Sequence, residues 1–205
     1  MDELQRVLKD SVHDLPADVP RDGLERLSRR ALDDGLVDVG YGRVDSPLGP
    51  LTVAATPRGV LRIAYPANDP DHVLEELAAR VSPRLLEAPS LIEGVRRELD
   101  EYFEGKRERF DLPLDWTLTR GFNRRVLRAT ARLGFGEVAT YADMAVRAGS
   151  PRAVRAAGNA LGSNPLPIVV PCHRILRTGG GLGGYTGGLD KKEFLLSLEG
   201  VLHDV

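Results

Sequence analysis

The spacing of apolar residues changes as the chain proceeds. Over residues 1–36 it is helical. Leu4, Val7, Leu8 and Val12 recur on one face, as do Leu24, Leu27 and Leu32, and LPADVPRDG breaks the chain between them. The next block holds short runs, YGRVDS, LTVAAT and VLRIAY, separated by the turn material PLGP and PRG, and predicts three strands. Helical spacing returns in DHVLEELAARV, which opens on an Asp in the cap position, and in APSLIEGVRRELDEYFEG, with Ser90 as its cap. RFDLPLDWTL carries proline and little periodicity, so an interdomain linker is expected near 107–117.

The second half reads differently. FNRRVLRATARL predicts a helix, and TYADMAVRAG a short one with Thr140 near its start and Gly149 closing it. SPRAVRAAGNALG follows after a tight turn, with Ser150 as N-cap and Pro151 at the first helical position. Two short helices on a tight, glycine-containing turn are the signature of a helix-turn-helix. In NPLPIVVPCHRIL the prolines forbid a regular helix, and IVV predicts a short buried strand. RTGGGLGGYTGG is a loop with seven glycines between 179 and 188, and LDKKEFLLSLEG a final helix with Leu189, Phe194, Leu195 and Leu198 apolar. The expected fold class is α+β: a small N-terminal antiparallel β-sheet domain with helices, then a mostly helical C-terminal domain. The boundaries expected are 1–36 for a helical extension, 37–116 for the N-terminal α/β domain and 117–205 for the C-terminal domain.

Charge sharpens this picture. The net charge is only −2, yet 118–164 holds eight arginines against Glu137 and Asp143, while 165–205 is balanced and 1–117 carries about −8. Such asymmetry suggests a polyanion-binding face on one half of the chain, against the plainer reading of a solvated helix face. Arg152 and Arg155 lie on the second helix of the expected helix-turn-helix, whose body is small: Ala153, Ala156, Ala157 and Gly158. A narrow helix carrying arginines suits a surface that meets DNA. The N-terminus MDELQRVLKD is charged, with no apolar core of a signal peptide, so a cytoplasmic location is expected.

The chain has one cysteine, Cys172, which rules out an intramolecular disulfide and a cysteine-based zinc cage. The four histidines are scattered, so no metal site is expected. The G-x-G-x-x-G at 179, 181 and 184 lacks the strand before it and the helix inside it that a dinucleotide fingerprint requires. A lone cysteine among apolar residues is most often a small buried hydrophobe. Nucleophilic work needs the thiolate, and a basic group within reach raises its population. His173 is adjacent, but consecutive strand residues face opposite ways. It can serve Cys172 only where the backbone leaves strand geometry or a water bridges the two, and Pro171 makes such a break plausible.

PCHRI, with NPLPIVV before it and a glycine-rich loop holding GYTGG and a helix ending LLSLEG after it, resembles the O6-alkylguanine-DNA alkyltransferases (methylated-DNA-protein-cysteine methyltransferases). FGEVATYADMA and SPRAVRAAGNALGSNP match the same family in the same order over about 120–200, and SPLGPLTVAATPRGVLRIAY is a weaker match in the N-terminal part. The resemblance implies a winged helix-turn-helix-like DNA-binding motif. It implies Cys172 as alkyl acceptor, His173 as its base through a water, Glu199 orienting the imidazole, and Asn164 bracing the turn before the cysteine. Tyr141 would rotate the 3′ phosphate and donate a proton to guanine. Arg155 would fill the place of a flipped base, with Ser150, Arg152, Ala156 and Arg174 also on DNA. Tyr185, Thr186 and the backbone at Ile175 would hold the guanine. The expected activity is single-turnover repair of O6-alkylguanine, with O4-alkylthymine a further candidate, by a monomer without cofactor in the minor groove of double-stranded DNA. The rival readings are an alkylation-sensing DNA-binding regulator using the same cysteine, a binder that lacks chemistry, and a Cys-His-Glu hydrolase.

Overall fold

The computed structural model describes residues 34–202 together with 26, 28, 30 and 31. The helices expected over 1–36 lie mostly outside the described residues. Residues 26, 28, 30 and 31 are helical, and the buried Ser28 hydroxyl donates to Glu87 O at 3.1 Å.

Three strands form on the three short runs, the first starting at Val39 ahead of YGRVDS and the third at Gly59 ahead of VLRIAY: β1 (Val39–Val44), β2 (Leu51–Thr56) and β3 (Gly59–Ala64), each antiparallel to the next. A fourth, β4 (Leu85–Glu87), joins parallel to β1 and gives the order β3-β2-β1-β4. The sheet is therefore mixed, not antiparallel throughout. Three residues are too few to show a period, which is why LLE gave no strand signal. Helix α1 (Pro70–Arg80) covers one face through Val73 and Leu77 against Val39, Ala54 and Leu61. Helix α2 (Pro89–Phe103) covers the other through Ile92, Val95 and Leu99 against Val53 and Ile63. Burial on both faces explains why LTVAAT reads as a nearly continuous apolar run. The caps differ from expectation. Asp69, not Asp71, accepts the first-turn amide of α1, and α2 starts at Pro89 behind Ala88 without a side-chain cap, leaving Ser90 inside it.

The linker segment closes onto the sheet. Val60 N donates to Pro113 O and Asp115 N to Val60 O, both at 2.8 Å. A side chain at Gly59 would run into the Pro113 carbonyl, so this approach requires glycine. Helices α3 (Gly121–Thr130), α4 (Tyr141–Arg147) and α5 (Val154–Gly162) pack on one another beyond it. Thr140 and Asp143 form a reciprocal capping box on α4. α5 begins three residues later than its expected cap: Ser150–Ala153 is a turn closed by Ala153 N on Ser150 O, and Ala153 is the N-cap. The last elements are β5 (Ala139–Thr140), β6 (Ile175–Leu176), parallel to it, and α6 (Leu189–Leu198). One apolar cluster runs from Val53 and Ile63 in the sheet through Leu127 and Ala157 to Leu195. Both halves of the chain thus share a core.

Candidate active site

The approach to Cys172 is a strained turn, not the strand expected for IVV. Ile168 has φ of 73°, and it alone among the described non-glycine residues lies in the left-handed region. For a β-branched side chain that conformation costs about 1–2 kcal/mol. Asn164 holds the turn in place. Its Oδ1 accepts from Leu166 N at 3.0 Å, and its Nδ2 donates to Val170 O at 2.9 Å and to Cys172 Sγ at 3.1 Å. Cys172–Arg174 then form a single 3₁₀ turn. At three residues per turn, successive side chains fan out in three directions. This is the departure from strand geometry that His173 needs.

Cys172 lines a pocket of about 320 Å³ together with Tyr141, Gly158, Gly162, Tyr185 and Thr186. Burial pushes its thiol pKa up, while the Asn164 amide, the Lys192 charge and the Tyr185 hydroxyl pull it down, with burial prevailing. The resting sulfur is a protonated thiol with thiolate-stabilising groups already around it.

His173 and Arg174 turn away from the pocket onto Glu199, which caps α6. Nε2 of His173 meets Glu199 Oε1 at 2.9 Å, and Arg174 donates through Nε to Oε2 and through Nη2 to Oε1, both at 2.7 Å. Tyr102 Oη in α2 donates to Oε1 at 2.7 Å. Burial raises the pKa of Glu199, but the bonds from His173 and Arg174 outweigh it and bring the carboxyl down to about 2. Burial lowers the pKa of His173 against the upward pull of Glu199. A neutral ring facing an ionised carboxylate carries its proton on Nε2. That leaves Nδ1, buried and without a hydrogen-bond partner, as the free base.

Around the pocket, Tyr141 lies against Gly158, and its hydroxyl meets Gly184 O at 3.5 Å. A side chain at Gly183 would come within 2.7 Å of that hydroxyl, so the loop passes Tyr141 only as glycine. Thr186 Oγ1 donates to Gly162 O at 2.6 Å and ties the loop to α5. Arg155, Gly158 and Gly162 fall on one face of α5 by their spacing, which puts exposed Arg155 on the pocket side beside exposed Arg152 and Ala156. Ser150 sits half-buried in the turn before them.

Two expected site residues lie elsewhere. Arg174 is buried, with its guanidinium held by Glu199 and by Leu133 O at 2.7 Å, so it does not face DNA. Ile175 stands outside the pocket lining, its amide on Cys172 O and its carbonyl taken by Lys192 Nζ at 2.6 Å. The basic stretch is also less open than its charge suggests. Arg124 caps the carbonyls of Trp116 and Thr119, Arg125 that of Ala148, and Arg147 pairs with Glu137.

The family profile described as "6-O-methylguanine DNA methyltransferase, ribonuclease-like domain" matches residues 39–116, and that described as "6-O-methylguanine DNA methyltransferase, DNA binding domain" matches 121–201. The chain belongs to the 6-O-methylguanine DNA methyltransferase family. Among curated relatives, a methylated-DNA–protein-cysteine methyltransferase of Methanosarcina barkeri is 37% identical over 159 residues, covering 78% of this chain and 96% of its own. One of Mycolicibacterium paratuberculosis is 39% identical over 165 residues, covering 78% and 92%. The crystal structure of Mycobacterium tuberculosis OGT in complex with DNA superposes with a TM-score of 0.67 at 35% identity, over 78% of this chain and 92% of that one.

Within this methyltransferase fold, three site residues escaped the sequence reading. Lys192 reads as an ordinary helix lysine, yet it is buried with Nζ on the carbonyls of Ile175 and Leu182. Its neighbour Lys191 is partly exposed, so the helical period around Leu195 and Leu196 was the available signal. Tyr102 and Tyr65 come from the N-terminal half and reach the site only through tertiary packing. The described residues include no cluster of metal-binding side chains and no helix long and apolar enough to cross a membrane.

Proposed function

We propose that this protein repairs DNA directly, by moving the alkyl group from O6 of an alkylated guanine onto Cys172 and keeping it. The observation that carries the reading is a lone thiol opening into a pocket shared with helix α5, whose first turn with Arg155 is exposed, backed by a neutral histidine on an ionised glutamate. A base stacked in a duplex cannot enter such a pocket, so the lesion is extruded. That costs a few kcal/mol and is cheapest for a damaged or poorly paired base. Arg155, beside the mouth of the pocket, fills the vacated place in the stack. The small residues of α5 suit a minor groove about 6 Å wide, where readout is nearly sequence-blind.

The thiol proton leaves through a bridging water to Nδ1 of His173, and Nε2–H on Glu199 steadies the imidazolium that forms. Sulfur attacks the alkyl carbon in line. The S–C bond forms as the C–O6 bond breaks, and the electron pair passes to the purine, which takes up a proton. Tyr141, its hydroxyl at the pocket on Gly184 O, is the donor we assign. Asn164 holds the sulfur on line through its 3.1 Å contact. Tyr185 and Thr186 wall the space for the base. The product is a thioether, so each molecule acts once, and the balance requires no oxidant, reductant or cofactor.

The test is stoichiometry with mass. Incubation with an O6-methylguanine duplex should place one methyl group on the peptide bearing Cys172 and release about one repaired lesion per protein molecule. Cys172→Ala should bind the duplex and take up nothing. Repaired DNA alongside unmodified protein would overturn the reading.

A further inference from the structure

Tyr65 directly follows β3 in the N-terminal sheet, far from Cys172 in sequence. Its hydroxyl nevertheless lies 2.7 Å from that of Tyr185 in the glycine loop, and the two rings meet edge to face with centroids 6.1 Å apart. The contact is held from both sides. Ile63 N donates to Pro165 O at 2.8 Å and fixes β3 against the turn that leads to Cys172. On the loop, a side chain at Gly187 would come within 2.6 Å of the Tyr65 ring and 3.0 Å of the Tyr185 ring, so the loop closes over Tyr65 only as glycine. Tyr65 is itself buried, and burial raises its pKa, so the pair remains two neutral phenols across the working pH range.

Tyr185 is also a wall of the pocket that holds the sulfur. A wall that is free to swing yields to a bulky guest, and one hydrogen-bonded to a rigid sheet does not. We propose that Tyr65 is a specificity-determining residue: by pinning Tyr185 it sets an upper size on the alkyl group that can be transferred. This rests on the alkyl-transfer reading above. A methyl group reaches the sulfur with the wall in place. A longer chain must push the Tyr185 ring aside and break its bond to Tyr65 in the transition state. The filter therefore acts on large groups, while the pull of the Tyr185 hydroxyl on the thiol is common to both alkyl groups.

Single-turnover transfer rates are measured on two duplexes, one with O6-methylguanine and one with O6-butylguanine, following the mass of the Cys172 peptide. Tyr65→Phe keeps the ring and removes the bond. It should raise the butyl-to-methyl rate ratio about five-fold, the rate equivalent of one ordinary hydrogen bond. Tyr185→Phe also takes a hydroxyl from the sulfur and slows both transfers alike, which cancels in the ratio; the ratio should rise by a similar factor, and the double variant should go no further, because both changes remove the Tyr65–Tyr185 bond. An unchanged ratio in Tyr65→Phe, an equal fall of both rates, or fully additive effects in the double variant would overturn the proposal. Methyl transfer with an unchanged ratio removes the filter alone. A protein that accepts no alkyl group from either duplex removes the transfer reading and the filter together.

Discussion

Two buried cations serve the reactive turn, Arg174 within it and Lys192 on α6, and they are satisfied differently. Arg174 meets both oxygens of Glu199 and the carbonyl of Leu133, so its charge is neutralised and each of its three nitrogens has an acceptor. Lys192 meets the carbonyls of Ile175 and Leu182 and, among the described residues, no carboxylate. Carbonyl dipoles solvate an ammonium but do not cancel its charge. Burial accordingly lowers the pKa of Lys192 to about 8, while the nearby Cys172 sulfur draws it up. The Glu199 side of the turn is electrically closed, and the Lys192 side becomes closed when a thiolate forms. Equal burial therefore serves two ends: the arginine fixes the relay, and the lysine lowers the energy of the reactive anion.

The largest effect should come from opening the closed side. Glu199→Gln strands the Arg174 charge and should cost about 3–5 kcal/mol of stability, the usual result of removing one partner of a buried pair. Calorimetry should show a fall of roughly 10 °C in Tm. The same carboxylate sets an acid limit. Its folded pKa, about 2, lies below the ordinary 4.5, so its contribution is complete above pH 4.5 and is lost as pH falls toward 2. Acid titration of Glu199→Gln should lack that loss, and an unaltered profile would mean that Glu199 is not ionised in the fold.

On the Lys192 side the effect should appear in rate. Lys192→Met removes a charge that favours the thiolate, so the thiol pKa rises. Transfer at neutral pH should fall about ten-fold for each unit of that rise and recover as pH increases. A loss that is independent of pH would break the contrast between the two cations.

Arg155→Ala touches neither cation and serves as the control. It should slow repair of a duplex about ten-fold more than reaction with the free alkylated base, since only the duplex requires a plug in the stack. Equal losses on both would remove Arg155 from that place.

The smallest effect sharpens the closed side from across the core. Tyr102→Phe removes one of the donors on the ionised Glu199 Oε1, at about 1.5 kcal/mol in stability, the low end for a bond to a charged group that keeps its other donors. Less well solvated, that oxygen holds the His173 proton more strongly. The acid limb of the pH–rate profile should move to higher pH, a shift that a purely structural role would not produce.

How far the sequence reached depended on the range of the signal. The short helix opening near Thr140, the strand run LTVAAT and the turn at Gly149 are local, and they form where they read. The PCHR stretch told which side chains are present. It did not tell which way they point, because the 3₁₀ turn and the positive φ at Ile168 follow from Asn164 binding the chain ahead of it. Arg174 illustrates the difference most plainly. The family resemblance put it on DNA, and its partner 25 residues later in the chain turned it inward.

The sequence by itself determined most of the elements and the placing of a unique thiol beside a histidine, because turns, helical spacing and residue neighbours are properties of short stretches. Tertiary structure alone decided which polar groups would be buried together. Tyr102, Tyr65 and Lys192 carry no local mark of their roles, and they acquire them because the sheet, α2 and α6 close on one core and must satisfy every donor they take out of water.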